Sequence, residues 1–260
     1  MIDKDLRSTN ALDYQDLPQL MGVMPKDFPD GYIIAWHKHD RDQLLYAISG
    51  IMRLETKEEA WIVPHNYALY IPAGTDHQVR MQGTVQMRTL YINGGRALNR
   101  SRGLGVFSVS NLLRELILAL NNEPIQYDPD SRAGLIARII ELEIELSREI
   151  SLNIPLPKDL RLQKLCAELL KDPSDRRTLY EWSDTAGASP RTLARLFKSE
   201  LGMSFNQWRQ RIRFHSALEG LSRGEPISKI AGDHGYQSAS AFAYAFKKVM
   251  GKTPSEVSTN

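Results

Sequence analysis

The spacing of apolar positions changes along the chain. Between residues 32 and 92 they fall in short runs, at 32–36, 43–49, 51–55, 60–63, 68–71, 78–82 and 85–92. Gly50, Pro64, Pro72-Ala73-Gly74 and Gly83 punctuate them. Many short runs separated by turn residues predict the strands of a sandwich or small barrel, with Gly50 at a hairpin turn. After residue 107 the spacing lengthens to three and four. Residues 108–120 read as an amphipathic helix capped by Ser108 or Ser110. A second helix begins at Pro129-Asp130-Ser131 and runs to about Ile150. Its Leu135, Ile139, Leu142 and Leu146 are spaced 4, 3 and 4, with Glu141, Glu143, Glu145 and Glu149 exposed. Such a pair either packs on its own barrel or meets a second copy across a dimer axis. Ile154-Pro155-Leu156-Pro157 cannot be regular helix and marks a domain boundary. Lys158-Asp159-Leu160 opens the next helix, with Leu160, Leu162, Leu165, Leu169 and Leu170 turned inward. Residues 1–30 are polar, contain Pro18, Pro25 and Pro29, and predict little; they lack the apolar core of a signal peptide.

Residues 178–254 carry one pattern twice. The first copy has Ser183 and Gly187, a turn at Ala188-Ser189, then Pro190-Arg191-Thr192-Leu193-Ala194-Arg195-Leu196-Phe197-Lys198 and Gly202. The second has Ala231 and Gly235, a turn at Tyr236-Gln237-Ser238, then Ser240-Ala241-Phe242-Ala243-Tyr244-Ala245-Phe246-Lys247 and Gly251. The offset is 48 before the turn and 49 after it, so the turn gained one residue. Each copy predicts a helix-turn-helix. A glycine ends the first helix in the left-handed conformation, and Ser189 or Ser238 caps the second. Leu193, Leu196 and Phe197 make an inward stripe, which leaves Arg191, Ala194, Arg195 and Lys198 on the opposite face. Residues 205–221 between the copies read as one helix of about 25 Å, with Trp208, Ile212, His215 and Leu218 on one side. It would hold two recognition helices near one turn of DNA apart, about 34 Å.

These residues resemble the AraC/XylS family of bacterial transcription regulators. The resemblance rests on Ser189, Arg191, Leu193, Arg195, Phe197-Lys198, Gly202 and Ser204, then Arg213 and Ala217-Leu218. It continues through Ile227, Ile230-Ala231, Gly235-Tyr236, Ser238, Ser240, Phe242, Phe246-Lys247-Lys248, Gly251 and Thr253-Pro254. It covers about 80 residues, and Ser183 departs from the alanine usual in the family. The resemblance implies that the chain binds double-stranded DNA. Ser189, Arg191, Thr192, Ala194, Arg195 and Lys198 are the candidate contacts of the first copy. Gln237, Ser238, Ala239, Ser240, Ala243, Tyr244 and Lys247 are those of the second, with Lys248 and Lys252 near the phosphates.

Composition agrees. At 260 residues the chain has room for two domains. The net charge of +2 hides an asymmetry, since residues 1–155 carry −4 and residues 156–260 carry +6. The positive half is the one with the duplicated motif, as phosphate binding requires. No run of 18 apolar residues is present, so no membrane helix is expected. The single cysteine, Cys166, excludes a disulfide framework and fits a reducing cytoplasm near the nucleoid; its apolar spacing reads as core.

In the strand-rich half lies His37-x-His39-x3-Gln43-x6-Gly50, followed by Pro72-x-Gly74-x2-His77. On one strand, residues 37, 39 and 43 share a face, and Gly74 permits a bend that returns His77 to them. The spacing resembles the two cupin motifs. That resemblance implies a divalent metal on three histidines and a glutamate, but Gln43 replaces the glutamate. Asn66 stands where a glycine is usual and Met81 where an asparagine is usual. Three readings stay open: a metal site on His37, His39, Gln43 and His77; a metal-free pocket whose side chains hydrogen-bond a small polar or anionic effector; and a satisfied polar cluster. His65 follows Pro64 and reads as surface.

No Gly-x-Ser-x-Gly, phosphate loop or Gly-x-Gly-x-x-Gly is present, and no catalytic set emerges. The expected organisation is α+β. An effector-sensing cupin barrel spans 1–107 and a helical coupling or dimerisation segment 108–153. A linker follows at 154–158 and the all-α DNA-binding domain at 159–260. The expected protein is a cytoplasmic, homodimeric, effector-controlled transcription regulator, touching RNA polymerase if it activates. The rival is a metal-dependent cupin enzyme fused to a DNA-binding domain.

Overall fold

One long strand organises the N-terminal half. In the computed structural model, which describes residues 8–65, 67–93, 103–147, 149–150, 153–222 and 224–258, that strand runs from His77 to Ile92. The strands before it are β1 (Met21–Phe28), β2 (Ile33–His37), β3 (Asp42–Leu45), β4 (Ala47–Glu55), β5 (Glu59–Pro64) and β6 (Tyr67–Ile71). The long strand is β7, and β8 (Gly105–Ser108) follows it. Helices α1 (Asn111–Asn121) and α2 (Arg132–Leu146) come next, then the short strand β9 (Glu149–Ile150). β7 pairs antiparallel with β1, β2, β3 and β4, and β6 bridges β3 to β8. The result is a near-closed antiparallel barrel. Alternation along β7 buries His77, Val79, Met81, Val85, Met87, Thr89 and Tyr91 on one face. Leu90 and Ile92 point the other way, into a core shared with α1 and α2.

Several expectations change here. β1 was not legible, because Pro25 sits within it; among the described strands β1 pairs only with β7, so proline's missing N–H costs no ladder bond on its other side. Gly50 is not a hairpin turn. It lies inside β4 at a register shift, with φ +79°, and a Cβ there would come 2.6 Å from the Thr84 carbonyl oxygen. Gly83 likewise does not divide β7. Ser108 belongs to β8, and Ser110 is the cap of α1, accepting from Leu113 N–H. α2 stops at Leu146 instead of continuing to Ile150, and residues 149–150 pair with β8.

Of the two packings left open for α2, its Leu135, Ile139, Leu142 and Leu146 stripe does not take the one on its own barrel, and Glu141 and Glu143, expected exposed, are half-buried. Ala133, Ile136, Ala137, Ile140 and Ile144 pack with Leu113, Ile117 and Leu120 of α1 on the outer face of the sheet. Leu135, Ile139, Leu142 and Leu146 are 53%, 42%, 55% and 81% exposed. Both stripes have helical spacing, and periodicity alone does not say which meets the sheet.

The chain divides into two compact units, Met1–Thr56 with Ile62–Ser151, and Lys57–Trp61 with Leu152–Asn260. In the second, β10 (Asn153–Pro155) pairs with Glu59–Trp61. Helices α3 (Leu160–Lys171), α4 (Leu179–Ala186), α5 (Pro190–Leu201), α6 (Phe205–Ser222), α7 (Ile227–Asp233), α8 (Ala239–Met250) and α9 (Pro254–Ser258) follow. Leu162, Leu165 and Leu169 of α3 join Trp182, Leu193, Phe197 and Trp208 in one core, which also holds Cys166, its thiol pushed up by burial. Leu160 was expected inward but is exposed, one residue after the cap Asp159. A second aromatic cluster joins Phe214, Tyr236, Phe242 and Phe246. Trp208 donates from Nε1 to the Pro155 carbonyl at 3.0 Å, and Arg211 donates to the Asn153 carbonyl at 2.9 Å. Among the described residues no helix is long and apolar enough to cross a membrane.

Candidate DNA interface and candidate effector pocket

The duplicated motif folds as two helix-turn-helix units. Thr178 and Glu181 form a reciprocal capping box at the start of α4, and Gly187 ends that helix at φ +66°. Ser189 caps α5 by accepting from Thr192 N–H at 3.2 Å, with Pro190 in the first turn. In the second copy α7 ends at Asp233, Gly235 adopts φ +81°, and Ser238 caps α8 by accepting from Ala241 N–H at 3.1 Å. α6 joins the copies, with Trp208, Ile212, His215 and Leu218 buried along it.

The outward face of α5 presents Arg191, Ala194, Arg195 and Lys198, all exposed, with Ser189 exposed at its cap and Thr192 half-buried. Among the described residues, neither Arg191 nor Arg195 forms an ion pair. On α8, Ser240, Tyr244 and Lys247 are exposed, as are Gln237 and Ser238 before it. Ala239 and Ala243 are half-buried, so they reach outward less than expected. Lys252 is also half-buried, and burial pushes its ammonium below the usual lysine range.

The histidine cluster assembles by a different route from the expected single strand. His37 ends β2, His39 lies in the link that follows, and Gln43 is in β3. Convergence comes from pairing: His37 faces His77 across β2–β7, and Gln43 faces Tyr91 across β3–β7. Gly74, at φ +78°, donates its N–H to the His39 carbonyl at 2.8 Å and turns the chain toward His77. The ring centroids lie 4.8 Å apart for His37–His39, 4.3 Å for His37–His77 and 5.6 Å for His39–His77. One ring nitrogen from each lies within 4.8 Å of the others.

Hydrogen bonds fix what these rings offer. His37 Nδ1 is 2.7 Å from the Ala35 carbonyl oxygen and His77 Nδ1 is 2.8 Å from that of Thr75. A carbonyl only accepts, so each Nδ1 carries a proton and Nε2 is the ring nitrogen left to face a ligand. Burial pushes the His77 imidazole down to about 4, and burial with the neighbouring rings pushes His39 down to about 3, so both are neutral near pH 7. Nε2 of His39 and of His77 is buried and has no hydrogen-bond partner among the described residues. Gln43 donates from Nε2 to Thr89 Oγ1 at 3.0 Å, and Thr89 donates onward to the Leu44 carbonyl at 3.1 Å. This relay fixes the amide, leaving Gln43 Oε1 a buried acceptor without a donor. Among the described residues the cluster does not satisfy these acceptors by itself. The donor set fits a divalent metal by its geometry, since one ring nitrogen from each of three imidazoles converges within 4.8 Å; Gln43 brings no charge to it.

A cavity of about 220 Å³ opens beside these rings. His37, His39 and Gln43 line it with Met24, Lys26, Phe28, Tyr32, Ile34, Leu45, Val79, Met87 and Tyr91, and with Thr9, Asn10 and Ala11 of the N-terminal segment. The sequence reading missed these lining residues. Residues 85–92 were read as a strand without an assigned face, and nothing marked β1. The Lys26 ammonium stands 5.5 Å from the Phe28 ring centroid. His65 was expected at the surface and is instead buried, its imidazole pushed down by that burial and by the Arg114 charge. Met81 is buried, and Asn66 lies outside the described residues.

Comparisons with known proteins agree with this division. A helix-turn-helix domain family matches residues 182–260, and a cupin domain family matches residues 27–93. The HTH-type transcriptional regulator NimR of Escherichia coli is 30% identical over 218 residues, covering 84% of this chain and 80% of that protein. RipA of Corynebacterium glutamicum, also an HTH-type transcriptional regulator, is 33% identical over 105 residues, 40% of this chain and 32% of RipA. A solved structure of ToxT from Vibrio cholerae covers 92% of this chain and 98% of its own, at 14% identity and a TM-score of 0.38.

Proposed function

Because this chain belongs to the AraC-type family of DNA-binding transcription regulators, with a cupin domain before its helix-turn-helix domain, we propose that it is a homodimeric, effector-controlled regulator. In this reading a small molecule enters the barrel cavity and alters how the tandem helix-turn-helix units engage an operator. The observation that carries it is the pairing of two features in one chain. One is a capped, cationic recognition helix with exposed Arg191 and Arg195. The other is a lined cavity whose acceptors have no partner among the described residues.

The residues proposed for DNA are Ser189, Arg191, Thr192, Ala194, Arg195 and Lys198 in the first copy. In the second they are Gln237, Ser238, Ala239, Ser240, Ala243, Tyr244 and Lys247. Those proposed for effector are His37, His39, Gln43 and His77. The exposed leucines of α2 support self-association, because an apolar stripe at heptad spacing next to a packed one suits a helix–helix seam. The proposed domain limits are a barrel at 1–107, a coupling segment at 108–153, a linker at 154–158 and a DNA-binding domain at 159–260. A role in the cytoplasm, with RNA polymerase as partner if the protein activates, belongs to that reading, and no catalytic role is assigned. Genome-wide footprinting tests it: discrete operators upstream of a few genes are expected, and uniform coverage without preferred sites would reject sequence-specific regulation.

A further inference from the structure

Between the two helix-turn-helix units, α6 and the loop at 172–177 build a patch of arginines. Arg213 donates from Nε to the Pro173 carbonyl at 3.0 Å and from Nη2 to that of Asp175 at 2.9 Å. One turn earlier, Arg209 donates from Nη1 to the Arg177 carbonyl at 3.0 Å and from Nη2 to Asn206 Oδ1 at 3.1 Å. These bonds fasten the loop to α6. Arg176 stays exposed on that loop, and among the described residues it forms no ion pair. The patch lies between the two recognition helices. Arg209 lines a cleft of about 390 Å³ with Thr178, Ser204, Asn206 and Ala194, and Ala194 belongs to the outward face of α5. At the other end, a Cβ built on Gly235 would sit 3.8 Å from Arg176 Nε and 3.8 Å from Arg213 Nη1. Gly235 opens the turn whose Gln237 and Ser238 lead into α8. The arginines therefore continue the cationic face of α5 to the start of α8.

The charge of this patch is not balanced from within. Asp175 is the carboxylate that acts on both Arg209 and Arg213, and Arg177 holds it from Nε at 2.8 Å and from Nη2 at 2.6 Å. Burial, then the charges of Arg209 and Arg176, push the Arg213 guanidinium below its ordinary value, with Tyr236 and Asp175 opposing. Like charges held this close repel one another, and an anion placed on them removes that cost. The patch is elongated from α5 to α8, which suits a polyanion better than a single small ion. Duplex DNA carries one charge per about 1.7 Å of its axis, and its backbone runs past this patch if α5 and α8 sit about one turn apart.

We propose that this patch is a third DNA contact, in which Arg176 binds a backbone phosphate of the spacer between the two operator boxes while Arg209 and Arg213 hold its loop in place. This rests on the reading of α5 and α8 as the helices that enter DNA. The contact reads no base; it fixes where the domain sits along the spacer.

The test measures binding of the full-length protein to a labelled duplex of mixed sequence, from about 50 to 200 mM salt. Each phosphate neutralised adds about 0.9 to the slope of log K against log salt. Arg176→Ala should flatten the slope by about that amount, and Arg176→Lys should keep the wild-type slope. Lys164→Ala, which removes an exposed cation of α3, should leave it unchanged. A wild-type slope in Arg176→Ala, or an equal loss in Lys164→Ala, overturns the contact. On a duplex enriched from a randomised library, ethylation interference should locate a blocked phosphate in the spacer for wild type. That signal should vanish in Arg176→Ala, with the phosphates flanking the α5 box unchanged. A spacer in which no ethylated phosphate impairs wild-type binding overturns the proposal, whether or not the variant folds. Sequence-specific regulation fails separately: a library from which no sequence is enriched rejects it, and the salt slope on mixed-sequence DNA still decides the patch.

Discussion

Arg191 and Arg195 show how much rests on single side chains. Both begin or flank the first outward turns of α5, and a guanidinium reads guanine O6 and N7 with two bonds. Replacing either by Ala is expected to cost about 1–3 kcal/mol of operator binding and to relax one base position, measured by binding to a randomised operator library. A uniform loss on all sequences would assign the residue to phosphate contact instead. His234 gives a second prediction. Burial, then the Arg213 charge, lowers its imidazole, with Asp233 and Glu225 opposing. The native state therefore holds a proton less well than the unfolded chain, whose histidine titrates near 6.5. Its contribution to stability is complete above that pH and is lost as pH falls through it toward the depressed native value. Melting temperatures taken from about pH 7.5 down to about pH 5 should fall more steeply for wild type than for His234→Gln. Parallel curves would show that this proton uptake does not reach global unfolding.

Elements compare most usefully in pairs. α5 and α8 are copies, yet α5 carries two exposed arginines where α8 carries Ser240 and Tyr244, with Ala239 and Ala243 only half-exposed. Hydroxyls and methyls discriminate bases less than a bidentate guanidinium does, so α8 should lean on Lys247 and Lys248 for phosphates. Saturation mutagenesis of the operator is expected to reveal a guanine-containing box under α5 and a weaker, thymine-tolerant box about one turn away. A second box as informative as the first would mean other α8 side chains reach the groove. α2 contrasts two faces of one helix. Leu142 lies on the exposed stripe, and burying a leucine is worth roughly 1.5–3 kcal/mol. Leu142→Lys should weaken self-association by about tenfold or more while leaving the melting temperature nearly unchanged, as sedimentation velocity would measure. Unchanged association would leave this stripe without a role in dimers.

At the scale of the whole molecule, the division of labour between the two compact units is itself testable. His77 is buried in the barrel unit. His77→Ala is expected to abolish the response of a promoter reporter to the effector while operator affinity without effector stays within about twofold, a change of under 1 kcal/mol. A variant that responds normally would remove the cavity from the regulatory mechanism.

The sequence determined what local physics controls. The caps Ser189 and Ser238, the left-handed Gly187 and Gly235 and the stripe of Leu193, Leu196 and Phe197 act within a few residues of themselves, so both helix-turn-helix units were legible. So were the histidines, because the spacing around Gly74 is a short-range property. Tertiary structure decided whatever depends on a distant partner. β1 exists because β7 pairs with it despite Pro25, and it brings Met24, Lys26 and Phe28 to a cavity the sequence did not outline. Gly50 sits at a register shift in β4 where a Cβ would meet the Thr84 carbonyl and Val85, residues more than thirty positions away. α2 has two stripes of equal period, and only the sheet beneath it chose which one to bury. The free acceptor of Gln43 follows from Thr89, 46 residues away, whose hydroxyl fixes the amide; no pattern read along one stretch of chain encodes that bond.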